Sequence, residues 1–202
     1  MKANFLKNKS EQINKRADLK AEIEIPEGMH ASIEHNNLVI KKGDIEIKRK
    51  LNALINSILE GNKIILEKKK ATKKNKKIFG SFEAHFRNMI KGLNQNFVYR
   101  LQIASVHFPV TVSVDKAKNE LIVKNFLGEK TDRRINLIEG VNVKVNRDII
   151  EVESSDKEKA GKCAANIEKG TKVTNKDRRI YQDGIYIIEK PGRELWWKNR
   201  NF

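Results

Sequence analysis

The chain has 202 residues, with Lys+Arg 42 against Asp+Glu 26, a net charge of +16 and a pI near 9.8. Its 39% hydrophobic residues against 34% charged ones make it apolar-poor, but the regular spacing of Val, Ile, Leu and Phe excludes a disordered chain. The single cysteine, Cys163, excludes an internal disulfide; no apolar run approaches the roughly 20 residues that span a bilayer; and residues 1–20 lack the apolar stretch of a secretory signal, so the sequence reads as a soluble intracellular protein.

The charge is segregated along the chain. Net charge is +4 over residues 1–20, −2 over 21–60, +8 over 61–96, +2 over 97–169 and +4 over 170–202. Segregation of this kind points to discrete contact surfaces, and the usual partner of such a chain is nucleic acid, with no membrane partner expected.

In chain order, residues 1–19 read as a basic extension. Ala21, Ile23 and Ile25 alternate with Glu22 and Glu24, which predicts a half-buried strand. Turn signals follow at Pro26-Glu27-Gly28, Asn36-Asn37 and Gly61-Asn62. Lys68, Lys69, Lys70, Lys73, Lys74, Lys76 and Lys77 form a run without acidic residues; self-repulsion predicts a disordered loop that contacts phosphate rather than bases. Phe82, Phe86, Met89, Ile90 and Leu93 fall on one helical face, with Ser81 as cap and Gly92 near the end. Period-2 strands resume at Tyr99-Leu101-Ile103, Val110-Val112-Val114 and Val141-Val143-Val145. A second helix carries Ala160, Cys163, Ala164 and Ile167, opened by Ser154-Ser155-Asp156 and closed by Gly170.

The two halves repeat each other. Pro26 precedes Leu38 by twelve residues, as Pro109 precedes Leu121. Gly43 and Gly128 are 85 apart, and so are Ile64-Ile65 and Ile149-Ile150. The expected fold is α+β: two tandem duplicated modules, each a small antiparallel sheet covered by one helix, with basic N- and C-terminal extensions. The expected boundaries are 1–19, 20–96, 97–170 and 171–202.

No catalytic constellation stands out. His30, His35, His85 and His107 lack metal-ligand spacing, and no phosphate-cradling glycine motif occurs, so neither enzyme, metal nor cofactor is expected. Three segments resist a purely structural account: Val106–Pro109, Lys124–Lys130 followed by Arg133-Arg134, and Lys172–Tyr186. In the third, Lys172, Asn175, Lys176, Arg178 and Arg179 interleave with Tyr181 and Tyr186. Basic groups suit phosphates, amides suit backbone or base edges, and tyrosines stack or pack. Gly184 gives the chain room to turn beside a bulky ligand, and Asp183 reads as a turn cap or a partner for an arginine.

Asn88–Gly92, His107-Phe108-Pro109, Asn125–Lys130, Asn175–Arg178 and Asp183–Tyr186 occur in an order that resembles the ribosomal protein L-six family of the large subunit, in its eukaryotic form also called L-nine. The resemblance runs from about residue 20 to about residue 190. It implies two repeated α+β modules and a non-catalytic structural role in the cytosolic 60S subunit, reached through nuclear and nucleolar assembly. It implies binding to large-subunit rRNA near the sarcin–ricin loop and stalk base, among neighbouring ribosomal proteins and close to where translational GTPases dock, with no self-oligomer. The second module and C-terminal segment carry the main contacts in this family. The expected rRNA-binding residues are therefore Lys172, Asn175, Lys176, Arg178, Arg179, Tyr181, Gly184, Tyr186 and Lys190, with Lys130, Arg133 and Arg134. The family's K-G-P-x-G turn is here Lys41-Lys42-Gly43-Asp44-Ile45, without the proline. The first 19 residues and the tail with Trp196-Trp197 match nothing in the family. A free RNA-binding or ribosome-assembly factor of the same fold is the alternative.

Overall fold

A computed structural model describes residues 18–177 and 179–194. The chain divides into two compact units, Met1–Leu93 and Asn94–Phe202. The first contains β1 (Leu19–Glu24), β2 (His30–Glu34), β3 (Asn37–Lys42), β4 (Ile45–Lys50), β5 (Asn56–Glu60), β6 (Lys63–Lys68) and α1 (Lys73–Asn94), the last residue of which falls in the second unit. The second contains β7 (Phe97–Ala104), β8 (Thr111–Asp115), β9 (Glu120–Lys124), β10 (Arg133–Asn136), β11 (Asn142–Asn146), β12 (Ile149–Ser154), α2 (Lys157–Gly170), β13 (Gly184–Lys190) and β14 (Arg193–Glu194).

The duplication is topological. In the first unit the sheets run β1-β6-β5 and β2-β3-β4; in the second, β7-β12-β11 and β8-β9-β10 repeat that order, all antiparallel. The spacings seen in sequence mark equivalent places. Leu38 in β3 and Leu121 in β9 are both fully buried, and Ile64-Ile65 in β6 corresponds to Ile149-Ile150 in β12. Each unit thus has two small sheets where one was expected, because the middle hairpins close a separate three-stranded sheet.

The helices pack differently. In the first unit Phe79, Phe86, Met89, Ile90 and Leu93 join Ile23, Leu38, Ile40, Ile64 and Leu66 in one core. In the second, the small Ala160, Cys163 and Ala164, with Ile167, let α2 lie close to Leu101, Ile150 and Val152. Burial raises the pKa of the Cys163 thiol, so it acts as a small apolar side chain. Asp156 caps α2, its carboxylate accepting from the Glu158 N–H at 2.9 Å.

The lysine run departs from expectation. Lys68 ends β6 and Lys73, Lys74, Lys76 and Lys77 form the first turns of α1, so the segment is not disordered. The helix starts eight residues before Ser81 because Ile78 and Phe79 extend its apolar face backwards. Thr72 caps it, accepting from the Asn75 N–H at 3.2 Å through Oγ1 and from the Lys76 N–H at 2.9 Å through its carbonyl. Lysine is a good helix former, and exposed side chains splay apart enough to relieve their repulsion.

The stretch assigned from sequence to the C-terminal segment supplies a strand to the second unit. β13 pairs with β7 on the edge away from β12, and β14 pairs with β13. The register shifts between Ile187 and Glu189, and Ile187 and Ile188 are both buried. Arg100 on β7 bridges Glu151 of β12 at 3.0 Å and Glu189 of β13 at 2.8 Å.

Phe86 is fully buried in the first unit's core. Phe86→Ala is expected to cost about 3–5 kcal/mol, read as a lowered denaturant midpoint for the first unit's unfolding transition. An unchanged midpoint would refute the packing of α1 on its sheets.

Candidate nucleic-acid interface

The three segments that resisted a structural account meet at one end of the second unit. The Asn125 side chain, at φ 57°, donates from Nδ2 to the Pro109 carbonyl at 3.0 Å. Phe108 lies against Gly128, whose φ of +73° and missing side chain are both used: a Cβ there would stand 3.2 Å from the Phe108 ring. The first two segments are joined by these contacts.

Arg133 joins the second segment to the third. Its guanidinium pairs with both carboxylate oxygens of Glu129 and donates to the carbonyls of Gly170 at 3.1 Å and Lys172 at 3.2 Å. It also stands 4.1 Å from the centre of the Phe126 ring. The bonds from Arg133 hold the Glu129 carboxyl below the usual range. Four donor contacts are thus spent inside the protein, and Arg133 anchors the start of the 171–183 loop. Thr171, also buried, donates to the Ile167 carbonyl at 3.1 Å and accepts from the Ile185 N–H at 3.1 Å, tying the end of α2 to β13.

Asp183 joins the first segment to the third. Among the described residues the buried polar side chains are Ser154, Thr171 and Asp183, and only Asp183 can ionise. Its Oδ1 accepts from the backbone N–H of Val106 at 2.8 Å and of His107 at 3.1 Å, and its Oδ2 lies 2.7 Å from His107 Nδ1. Burial works against the charged carboxylate, but the N–H and ring of His107 and the N–H of Val106 outweigh it and lower its pKa. An ionised carboxylate only accepts, so Nδ1 carries the proton. Asp183 is neither a turn cap nor an arginine partner, as the sequence suggested; it straps the β7–β8 loop to the start of β13.

From that strap the loop builds outwards. The His107 ring lies 5.0 Å from the Tyr181 ring, and Lys176 Nζ sits 4.6 Å from the Tyr181 centre. Asp177 folds the turn: its Oδ1 accepts from the Arg179 N–H at 2.9 Å and its carbonyl from the N–H groups of Ile180 and Tyr181. Asn175 adopts φ 58°. Lys172, Asn175, Lys176 and Arg179 are exposed; Arg178 lies outside the described residues, as do the tail with Trp196-Trp197 and residues 1–17.

The remaining candidates separate. Tyr186 is half-buried and donates from its hydroxyl to the Gln182 carbonyl at 3.1 Å. Gly184 is buried, and a Cβ there would stand 2.9 Å from the Tyr186 ring, so its small size makes room for that ring. Lys130 and Lys190 are exposed, and Arg134 stands 4.0 Å from Glu120. The lysine run belongs to the other unit. The His107–Asp183 pair was not readable as a pair, since 76 residues separate its members. The only signal was that each sat in a segment lacking a structural account.

Among the described residues no His, Cys, Asp or Glu cluster could hold a metal ion, and no helix is long and apolar enough to cross a membrane. Fold and site define a class: two copies of one α+β unit in tandem, the second extended by a strand pair and a braced basic loop. The model of the family described as ribosomal protein L6 matches residues 108–184, the stretch that holds most of this end. The large ribosomal subunit protein uL6 of Methanococcus vannielii is 40% identical over 178 residues, which cover 88% of this chain and 97% of that relative. The chain belongs to the ribosomal protein L6 family and is a structural, non-enzymatic constituent of the ribosome.

Removing the Asp183 charge is expected to cost the second unit about 1.5–3 kcal/mol, the scale of hydrogen bonds to a charged group. Because the folded pKa is lowered, this stabilisation is present above the unfolded value of about 3.9 and is lost as pH falls through the folded one. Denaturant midpoints of wild type and Asp183→Asn should therefore differ near neutral pH and converge in strong acid.

Proposed function

We propose that this chain is a component of the large ribosomal subunit that binds large-subunit rRNA through the 172–183 loop of its second unit. The observation that carries this reading is the convergence of three separate segments into a brace beneath one loop, which leaves Lys172, Asn175, Lys176 and Arg179 exposed together on a fixed backbone. Arg179 offers a forked donor for phosphates or guanine edges, Lys172 and Lys176 point charges, and Asn175 an amide for a base or sugar edge. Val106, Phe108 and Ile180 are exposed apolar side chains in the same segments, suited to contact with unstacked bases. Arg178 joins this set by its place in the sequence. Arg133, Tyr181, Gly184 and Tyr186 serve it from beneath, and Lys130, Arg134 and Lys190 add charge around it.

The finer reading follows the family resemblance. The subunit is the cytosolic 60S particle, entered through nucleolar assembly. The site on it lies near the sarcin–ricin loop and stalk base, beside neighbouring ribosomal proteins and the docking region of translational GTPases. Lys69, Lys70, Lys73, Lys74, Lys76 and Lys77 of the first unit then face phosphate, with Lys68 at the strand end.

Sedimentation tests the assignment: the chain should co-migrate with large subunits and whole ribosomes through high salt. Co-migration with immature particles alone would make it an assembly factor. Changing Arg178 and Arg179 together to Gln should abolish the preference for cognate rRNA over a scrambled sequence at one salt concentration while the protein stays folded. Equal losses on both RNAs would leave the loop a charge anchor only.

A further inference from the structure

Lys176 is exposed, yet its position is not that of a solvated surface lysine. Its ammonium sits 4.6 Å from the centre of the Tyr181 ring, that ring lies 5.0 Å from the His107 ring, and His107 is held to Asp183 at 2.7 Å. The order is carboxylate, imidazole, phenol ring, ammonium, running from a fully buried atom to solvent. One oxygen of Asp183 has a purely structural task, accepting from the backbone N–H groups of Val106 and His107. The second oxygen is not needed for that strap, and it is the one bonded to the imidazole. What the polar pair adds is a fixed ring orientation. Asp183 accepts from Nδ1–H through Oδ2 and from the backbone N–H groups of Val106 and His107 through Oδ1, which sets the tilt of the imidazole and so the seat of Tyr181. A lysine held over an aromatic face has already lost much of the rotamer freedom that binding would otherwise remove.

We propose that Asp183 and His107 are positioning residues for RNA binding, acting through Tyr181 to pre-order the Lys176 ammonium towards a phosphate. This rests on the reading that the 172–183 loop binds rRNA. Asp183 acts without reaching the ligand, because none of its surface is exposed. His107→Phe keeps a ring beside Tyr181 but removes the donor to Asp183; Asp183→Asn keeps the shape but removes the charge that fixes the imidazole.

The test uses the full chain and an rRNA fragment carrying the sarcin–ricin loop, with affinities measured across a salt series. Lys176→Gln should weaken binding roughly tenfold, the scale of one charge-assisted contact, and lower the slope of log K against log salt by about 0.7–0.9. Asp183→Asn and His107→Phe should each reproduce most of that loss and of the slope change, although Asp183→Asn removes a negative rather than a positive charge. In a Lys176→Gln background neither should weaken binding further. Losses of equal size with and without Lys176, or an unchanged slope, would overturn the proposal and leave the pair purely structural. If Lys176→Gln itself leaves the affinity unchanged, the RNA-binding reading of the loop falls, and this proposal with it. Should Asp183→Asn not fold, His107→Phe, at a half-exposed side chain, decides the question alone.

Discussion

The carboxylate of Asp183 is the constraint on which the loop end of the second unit depends. It has no solvent exposure, and it accepts from two backbone N–H groups and an imidazole on a loop 76 residues away. A buried charge is tolerated only when its acceptors are filled, so its presence fixes the β7–β8 loop against β13 in one arrangement. The His107 ring, and the Tyr181 ring beside it, take their places from it. Arg133 does the corresponding work at the other end of the loop, where its cation satisfies the carbonyls of Gly170 and Lys172.

Duplication gave this protein two copies of one scaffold, and the copies have diverged in how they use it. The first unit carries a 22-residue helix whose phenylalanines reach the sheets. The second carries a 14-residue helix with an alanine and cysteine face that lies close to its sheet. The second also pairs the outer edge of β7 with β13, whereas β1, its counterpart, pairs with β6 alone among the described residues. That added strand is what brings the 172–183 loop to the β7–β8 connection. A single extra pairing therefore converts a generic unit into one with a shaped, cationic end.

Charge and structure are arranged against each other in an informative way at α1. Its first turn holds no acidic residue and several lysines, where the helix dipole favours the opposite sign. The cost is small for exposed cations at physiological salt, and Thr72 supplies the cap that keeps the turn closed. A helix that tolerates its own repulsion in this way presents its ammonium groups on a regular frame.

Much of the fold was readable from residue order. Period-2 alternation located β1, β7, β8 and β11, the Asp156 cap and Gly170 bounded α2, and the twelve- and 85-residue spacings revealed the repeat, because these features are local and repeat with the geometry of strand and helix. The start of α1 was not readable from charge, since repulsion among lysines is a weak force beside the burial of Phe79. The residue types of the site were also visible in the sequence: a basic, amide-bearing loop, and a His-Phe-Pro segment without a structural account. Their roles were not. Arg133 and Arg134 are neighbours of one type, yet one is bonded inside the protein and the other lies in the open. Gly184 and Tyr186 acquire their meaning from each other, and Asp183 from His107. The sequence by itself determined several of the elements, the duplication and the family, which depend on short-range periodicity and motif order. Only the tertiary structure decided which polar groups are spent holding the loop and which are left exposed, because that depends on bonds between side chains and backbone groups brought together from 37 to 77 residues apart.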